Sequence, residues 1–239
     1  NDNDNDNNII SIGISISISI VTENGLALRV LSDETKNNER VVLAAVTQNG
    51  SALQYASNEM KKNQRVVLAA VNENGHTLKY ASDQLKNDRQ IVLAAVTKSG
   101  WALEYASDDL KKNTEIVTAA VQQDGTALIY ASEELRNSEP VVVAAVSRYG
   151  WALEYASNRL KANERVVLAA ASKNAFMLRK ASLELKANKK FMTLVLSRNG
   201  NALEYAPREL KNEPQTVRAA VTQNGFALEY ASDDLRNSK

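Results

Sequence analysis

Glycine recurs at Gly25, Gly50, Gly75, Gly100, Gly125, Gly150, Gly200 and Gly225, a 25-residue spacing held without insertion or deletion, and Ala175 fills the one vacant place. A unit this short cannot bury an apolar face within itself, so a chain built on such a period gains a core only by stacking each copy on its neighbours. The period predicts one repeat domain over residues 16–239, with copies starting near 16, 41, 66, 91, 116, 141, 166, 191 and 216. Composition supplies the material for that core: 44% of the residues are apolar and only three are proline, which excludes a disordered chain.

Within a copy the pattern is helical. From Asn63 to Gly75, a capping asparagine precedes an apolar run and glycine closes it. The cap position holds Asn38, Asn63, Asp88, Asn113, Ser138, Asn163 and Asn188, while Pro140 and Pro214 fall in the first turn, where a missing N–H is harmless. The glycine is expected to end the helix in the left-handed conformation. Six consecutive apolar residues such as those from Val41 to Val46 leave no polar face, which predicts a helix sandwiched between copies. Ala-Ala pairs from Ala44/Ala45 to Ala219/Ala220, broken at Leu194/Val195, let such helices approach closely. After the glycine, leucine recurs in every copy from Leu28 to Leu228, and Ser107-Asp108-Asp109-Leu110-Lys111 reads as a capped single turn. The fold class is all-α: an elongated α-solenoid of nine 25-residue short-helix repeats.

The N-terminus differs. Residues 1–15 are low-complexity, with Asn and Asp alternating before Ile and Ser, and are expected to be disordered. The Ile/Ser alternation continues to Val21 and is a strand pattern in a slot that reads as helix in later copies, so the first copy is expected to be poorly ordered or strained. The stretch lacks a basic flank and is too rich in serine for a transmembrane helix, so no membrane association is expected. A cytoplasmic location is the expectation, although a first residue of Asn leaves room for a preceding targeting segment.

The string Val-Val-Leu-Ala-Ala-Val-x-x-Asn-Gly-x-Ala-Leu-x-Tyr-Ala-Ser-x-x-Leu-Lys, read at 41–61 with Met60 in the last Leu place, resembles the repeat called domain of unknown function 4116. The resemblance covers roughly residues 16–239, with departures at Val30 and Thr35 in the first copy and at Ala175 and Lys180 in the seventh. It implies a helical tandem repeat and carries over no activity and no catalytic residues.

Several constellations have both a chemical and a structural reading. His76 is the only histidine and cysteine is absent, so a histidine-based triad or a thiolate metal site cannot be assembled. Acid pairs such as Asp108/Asp109, Glu133/Glu134 and Asp233/Asp234 suit the positive end of a short helix better than acid–base work. A tyrosine ladder (Tyr55, Tyr80, Tyr105, Tyr130, Tyr155, Tyr205, Tyr230) can stack a ligand or pack between copies, and packing is the favoured reading. A basic ladder from Lys36 to Arg236 suits the negative ends of the short turns.

Two features remain as candidate sites. The residue after the glycine varies, and at Trp101, Trp151, Phe176 and Phe226 it is a large apolar group suited to anchor a partner, or equally to pack within the array. Lys173, Arg179, Lys180, Lys186, Lys189 and Lys190 crowd one copy against Glu184 alone, where they form either an anion site or a solvated surface of a divergent copy. No catalytic residue, metal ligand set or cofactor is expected. The reading is a non-enzymatic scaffold that binds another protein, as yet unidentified; nucleic acid or another polyanion, held by the basic copies at 141–190, is the alternative.

Overall fold

The computed structural model describes the backbone of residues 2–237 and the side chains of residues 11–237. All regular structure among them is helical, in two compact units, 1–123 and 124–239. Each copy contributes one longer helix. These are α1 (Asp2–Glu23), α2 (Glu39–Gln48), α3 (Gln64–Glu73), α4 (Arg89–Lys98) and α5 (Thr114–Gln123) in the first unit. The second unit holds α6 (Glu139–Arg148), α7 (Glu164–Lys173), α8 (Lys189–Leu196) and α9 (Pro214–Gln223). A six-residue 3₁₀ segment and a short turn follow each helix, as in Gly75–Tyr80 and Asp83–Lys86.

The longer helices start where a side chain relieves the free first-turn donors: the Asn63 carboxamide oxygen accepts from the Val66 N–H at 3.1 Å, and the Asp88 carboxylate from the Ile91 N–H at 3.0 Å. Their burial corrects the expectation of a fully sandwiched helix. Val41, Val42, Ala45 and Val46 are buried, but Leu43 and Ala44 are only half-buried, and the same places stay half-buried in α3, α4, α6 and α7. Within a unit these helices therefore pack side by side in one layer, with the 3₁₀ segments packed against them, and leave one stripe towards solvent.

The glycines do not work as expected. No glycine has a positive φ; the residue before each glycine-led 3₁₀ segment is extended instead, such as Asn74 (φ −145°, ψ 108°), whose side chain caps the segment that follows. Glycine is required by proximity. An added Cβ at Gly25, Gly50, Gly75 or Gly200 would overlap the carbonyl oxygen of Ala45, Ala70, Ala95 or Ala220, the second alanine of the next copy's pair. Glycine and alanine, 20 residues apart, are thus two sides of one contact between copies.

Adjacent copies are also tied by main chain. The Ser57 N–H donates to the Lys36 carbonyl at 3.0 Å, and Ser82, Ser107, Ser157, Ser182 and Ser232 repeat the bond to the preceding Lys or Arg carbonyl. Between the seventh and eighth copies these devices change together. Ala175 replaces the glycine, Val195 replaces the alanine it would meet, and Pro207 replaces the serine whose N–H would reach Lys186. Larger residues fill the space instead: Phe191, Met192, Val195 and Leu196 of α8 are all buried.

The N-terminal stretch is also corrected, because α1 runs as helix through residues 2–23 where disorder and strand alternation were expected. Tertiary packing outweighs the alternation: Val21 is fully buried, with Ile14, Ser17 and Ile18 half-buried on the same helix side. The serines are accommodated by bonding back along the helix, as Ser15 Oγ does to the Ser11 carbonyl at 2.9 Å. Asn1 lies outside the described residues.

Candidate interaction surface

The 3₁₀ segments carry the variable post-glycine residues. With three residues per turn, side chains at i and i+3 line up, so residues one and four places after the glycine share an outer face. In the second unit two rings lie on this face, and a third, Tyr205, five places after its glycine, meets them to form a row. Trp151 and Phe176, one repeat apart, lie 5.1 Å between centroids at 34°, and Phe176 meets Tyr205 edge-on at 6.1 Å and 85°. The Arg179 guanidinium sits 5.1 Å from the Phe176 ring centre, the i, i+3 partner that the 3₁₀ geometry supplies. Trp151 keeps 36% of its surface exposed, and Phe176 and Tyr205 are half-buried.

Of the four aromatic candidates the fold brings Trp151 and Phe176 together. Trp101 is 39% exposed in the first unit. Phe226 is 82% exposed, and the slot between it and Phe176 holds Asn201, which accepts from Asn224 Nδ2 at 2.6 Å. Tyr205 and Arg179 were not grouped with the rings on sequence grounds. For Arg179 the signal is its spacing of three from Phe176, which becomes legible once the segment is known to be 3₁₀; Tyr205, five places after its glycine, is brought to Phe176 only by the packing of neighbouring copies.

The six basic candidates do not converge. Lys173 ends α7, Arg179 and Lys180 end a 3₁₀ segment, Lys186 lies in a short turn, and Lys189 and Lys190 begin α8. Two are neutralised across copies: Lys180 Nζ donates to Glu154 Oε1 at 2.7 Å, and Lys189 pairs with Glu213. Both carboxyls are held below the usual carboxylate range, Glu154 by the Lys180 hydrogen bond and then its charge, Glu213 by the bonds from Lys189 and Thr216. Lys161 is pushed down by burial and then by the neighbouring Lys180 charge. Lys173 and Lys190 are exposed and Lys186 is half-buried.

The ladders serve the stack. The ladder tyrosines are half-buried; Tyr80 donates to Gln54 of the previous copy at 3.5 Å, and burial, followed by a neighbouring glutamate, pushes the Tyr105 and Tyr205 hydroxyls up. Ladder lysines pair with the acids of their own turn, Lys86 with Asp83 at 3.5 Å and Lys111 with Asp108 at 3.8 Å, and Lys211 Nζ donates to the Glu204 carbonyl at 2.8 Å. His76 is exposed, with Nε2 3.0 Å from Ser99 Oγ. Among the described residues no group of three or more His, Asp or Glu is placed to hold a metal, and no helix is long and apolar enough to cross a membrane.

A family model described as Domain of unknown function (DUF4116) matches residues 15–61, 63–111, 93–136, 138–186 and 188–236. The matches are about twice as long as the 25-residue period, so the family's unit embraces a pair of copies. No curated protein and no solved structure matches the chain.

Proposed function

For a chain that belongs to the DUF4116 family, we propose the role of a non-enzymatic scaffold that binds another protein through the outer face of its 3₁₀ segments. The observation that carries this reading is the row Trp151, Phe176 and Tyr205 with Arg179 over its central ring. Aromatic side chains and arginine are the groups that most often dominate binding at protein interfaces, because they bring large area with little rotamer entropy. Here they are partly exposed and already held in place by one another, which lowers the cost of ordering them on binding. The pairing of Lys180 and Lys189 with Glu154 and Glu213 weakens the field that a polyanion would need.

The test is affinity capture from a native extract with the intact chain and with Trp151→Ala and Phe176→Ala, each at low and high salt. A protein retained at high salt and lost with either substitution supports the scaffold. Capture indifferent to both substitutions, abolished by salt and by reversing Lys173 and Lys190, overturns it in favour of polyanion binding.

A further inference from the structure

The seam between the seventh and eighth copies lies inside the second unit and is built unlike the junctions on either side of it. Between copies six and seven, and again between copies eight and nine, two backbone contacts fix the approach. Gly150 and Gly200 lie against the Ala170 and Ala220 carbonyls, and the Ser182 and Ser232 N–H groups donate to the Lys161 and Lys211 carbonyls at 3.2 and 3.0 Å. The seam has neither. Ala175 carries the Cβ for which the glycine contact leaves no room, so the Val195 carbonyl must stand further off, and Pro207 has no N–H to give Lys186.

Side chains cross the seam instead. Met177 and Met192 fill buried places that Ala152 and Val167 hold one copy earlier. Unbranched thioether side chains pack in several rotamers at little cost, so this interface tolerates displacements that a glycine pressed on a carbonyl does not. Asn199, whose counterparts Asn174 and Asn224 cap the 3₁₀ segment that follows them, donates through Nδ2 to the Ala171 carbonyl at 3.0 Å. α8 also stops early, with eight residues where α7 and α9 have ten. On the outer face, the edge-on contact of Phe176 with Tyr205 spans the seam. The chain itself crosses at Asn188, the single residue between the short turn Leu183–Ala187 and α8.

We propose that this seam is a hinge: copies eight and nine swing away from copies six and seven about Asn188, and the aromatic row is whole only while the hinge is closed. Trp151, Phe176 and Arg179 belong to copies six and seven and Tyr205 to copy eight, so opening removes one end of the row and leaves the rest in place. A partner that spans Phe176 and Tyr205 binds only the closed state and shifts the population towards it, a consequence that rests on the row being the partner-binding face, whereas the hinge needs no partner.

Double electron–electron resonance between spin labels on introduced cysteines tests this, since the chain has no cysteine of its own. Ser147 and Thr222, exposed on α6 and α9, lie three junctions apart across the seam. Thr47 and Gln122, exposed at the same places on α2 and α5 of the first unit, lie three junctions apart with glycine and serine kept at each. The Thr47/Gln122 labels are expected to give one narrow distance distribution, and the Ser147/Thr222 labels a main distance with a second population of about 10%. Pro207→Ser restores the donor to Lys186 and is expected to lower the open-to-closed ratio about two- to tenfold. Tyr205→Ala is expected to raise that ratio about two- to tenfold, and Tyr205→Phe, which keeps the ring, to leave it unchanged, each with an unaltered circular dichroism spectrum. A Ser147/Thr222 distribution as narrow as the Thr47/Gln122 one, or one indifferent to Pro207→Ser or to Tyr205→Ala, overturns the hinge. No partner enters the measurement, so a scaffold that fails in the capture experiment leaves the hinge standing, and a single closed distance leaves the scaffold standing.

Discussion

Single residues carry the contact between copies. Gly75→Ala places a methyl group against the backbone carbonyl of Ala95, which can move only if α4 moves, so unfolding in urea is expected to show a loss of about 2–3 kcal/mol. Gly225→Ala meets open space at an ordinary φ and, measured on dilute protein, is expected to be neutral or stabilising by up to about 0.5 kcal/mol. Equal losses at the two sites would show that the glycine acts through backbone conformation after all. Glu154 gives a pH prediction. Its folded carboxyl is more acidic than the unfolded one, so the folded state binds fewer protons; the stabilisation is complete above the carboxylate range and is lost as pH falls through it. Thermal melts of Glu154→Gln are expected to lie slightly below those of the unsubstituted chain near neutrality and to converge with them in acid, which flattens part of the acid-side decline. The role of glycine was not legible in the sequence, because a helix-ending glycine and a close-approach glycine leave the same residue at the same place.

At the scale of the element, each copy after the first is three short helical pieces, none long enough to be stable alone in water. They hold because caps satisfy their ends and the neighbouring copy closes their remaining groups. The serine slot shows this. Ser82 has φ −63° and ψ 157°, nearly the dihedrals of Pro207 in the eighth copy, so Ser82→Pro fits the backbone while removing the donor to Lys61 and the hydroxyl cap. A loss of about 1–2 kcal/mol is expected in urea unfolding, set by the orphaned Lys61 carbonyl. No change would mean that the ladder bond contributes nothing net. Helix starts were legible, since Asn63, Asp88 and the two first-turn prolines mark them chemically. The 3₁₀ form of the post-glycine segment was not, because α and 3₁₀ turns share the same residues and differ only in how tightly packing winds them.

For the whole molecule, stability belongs to copies and the interfaces between them. Deleting residues 66–90 removes one period and sets Gly50 against the copy that carries Ala95, so the shortened chain is expected to stay helical, with a reduced urea m-value and a lower midpoint. Deleting 66–77 breaks the period and is expected to abolish cooperative unfolding. If both deletions behave alike, register does not organise the fold. The sequence by itself determined the period, the helix boundaries and the all-helical class, because caps, glycines and apolar runs act locally and recur in register. Tertiary structure alone decided three things: that α1 is a helix despite its strand-like alternation, that the glycines answer a carbonyl 20 residues away, and that Trp151, Phe176, Tyr205 and Arg179 form one row. Each depends on which atoms of a neighbouring copy come within contact distance, and no local pattern of residues encodes that distance.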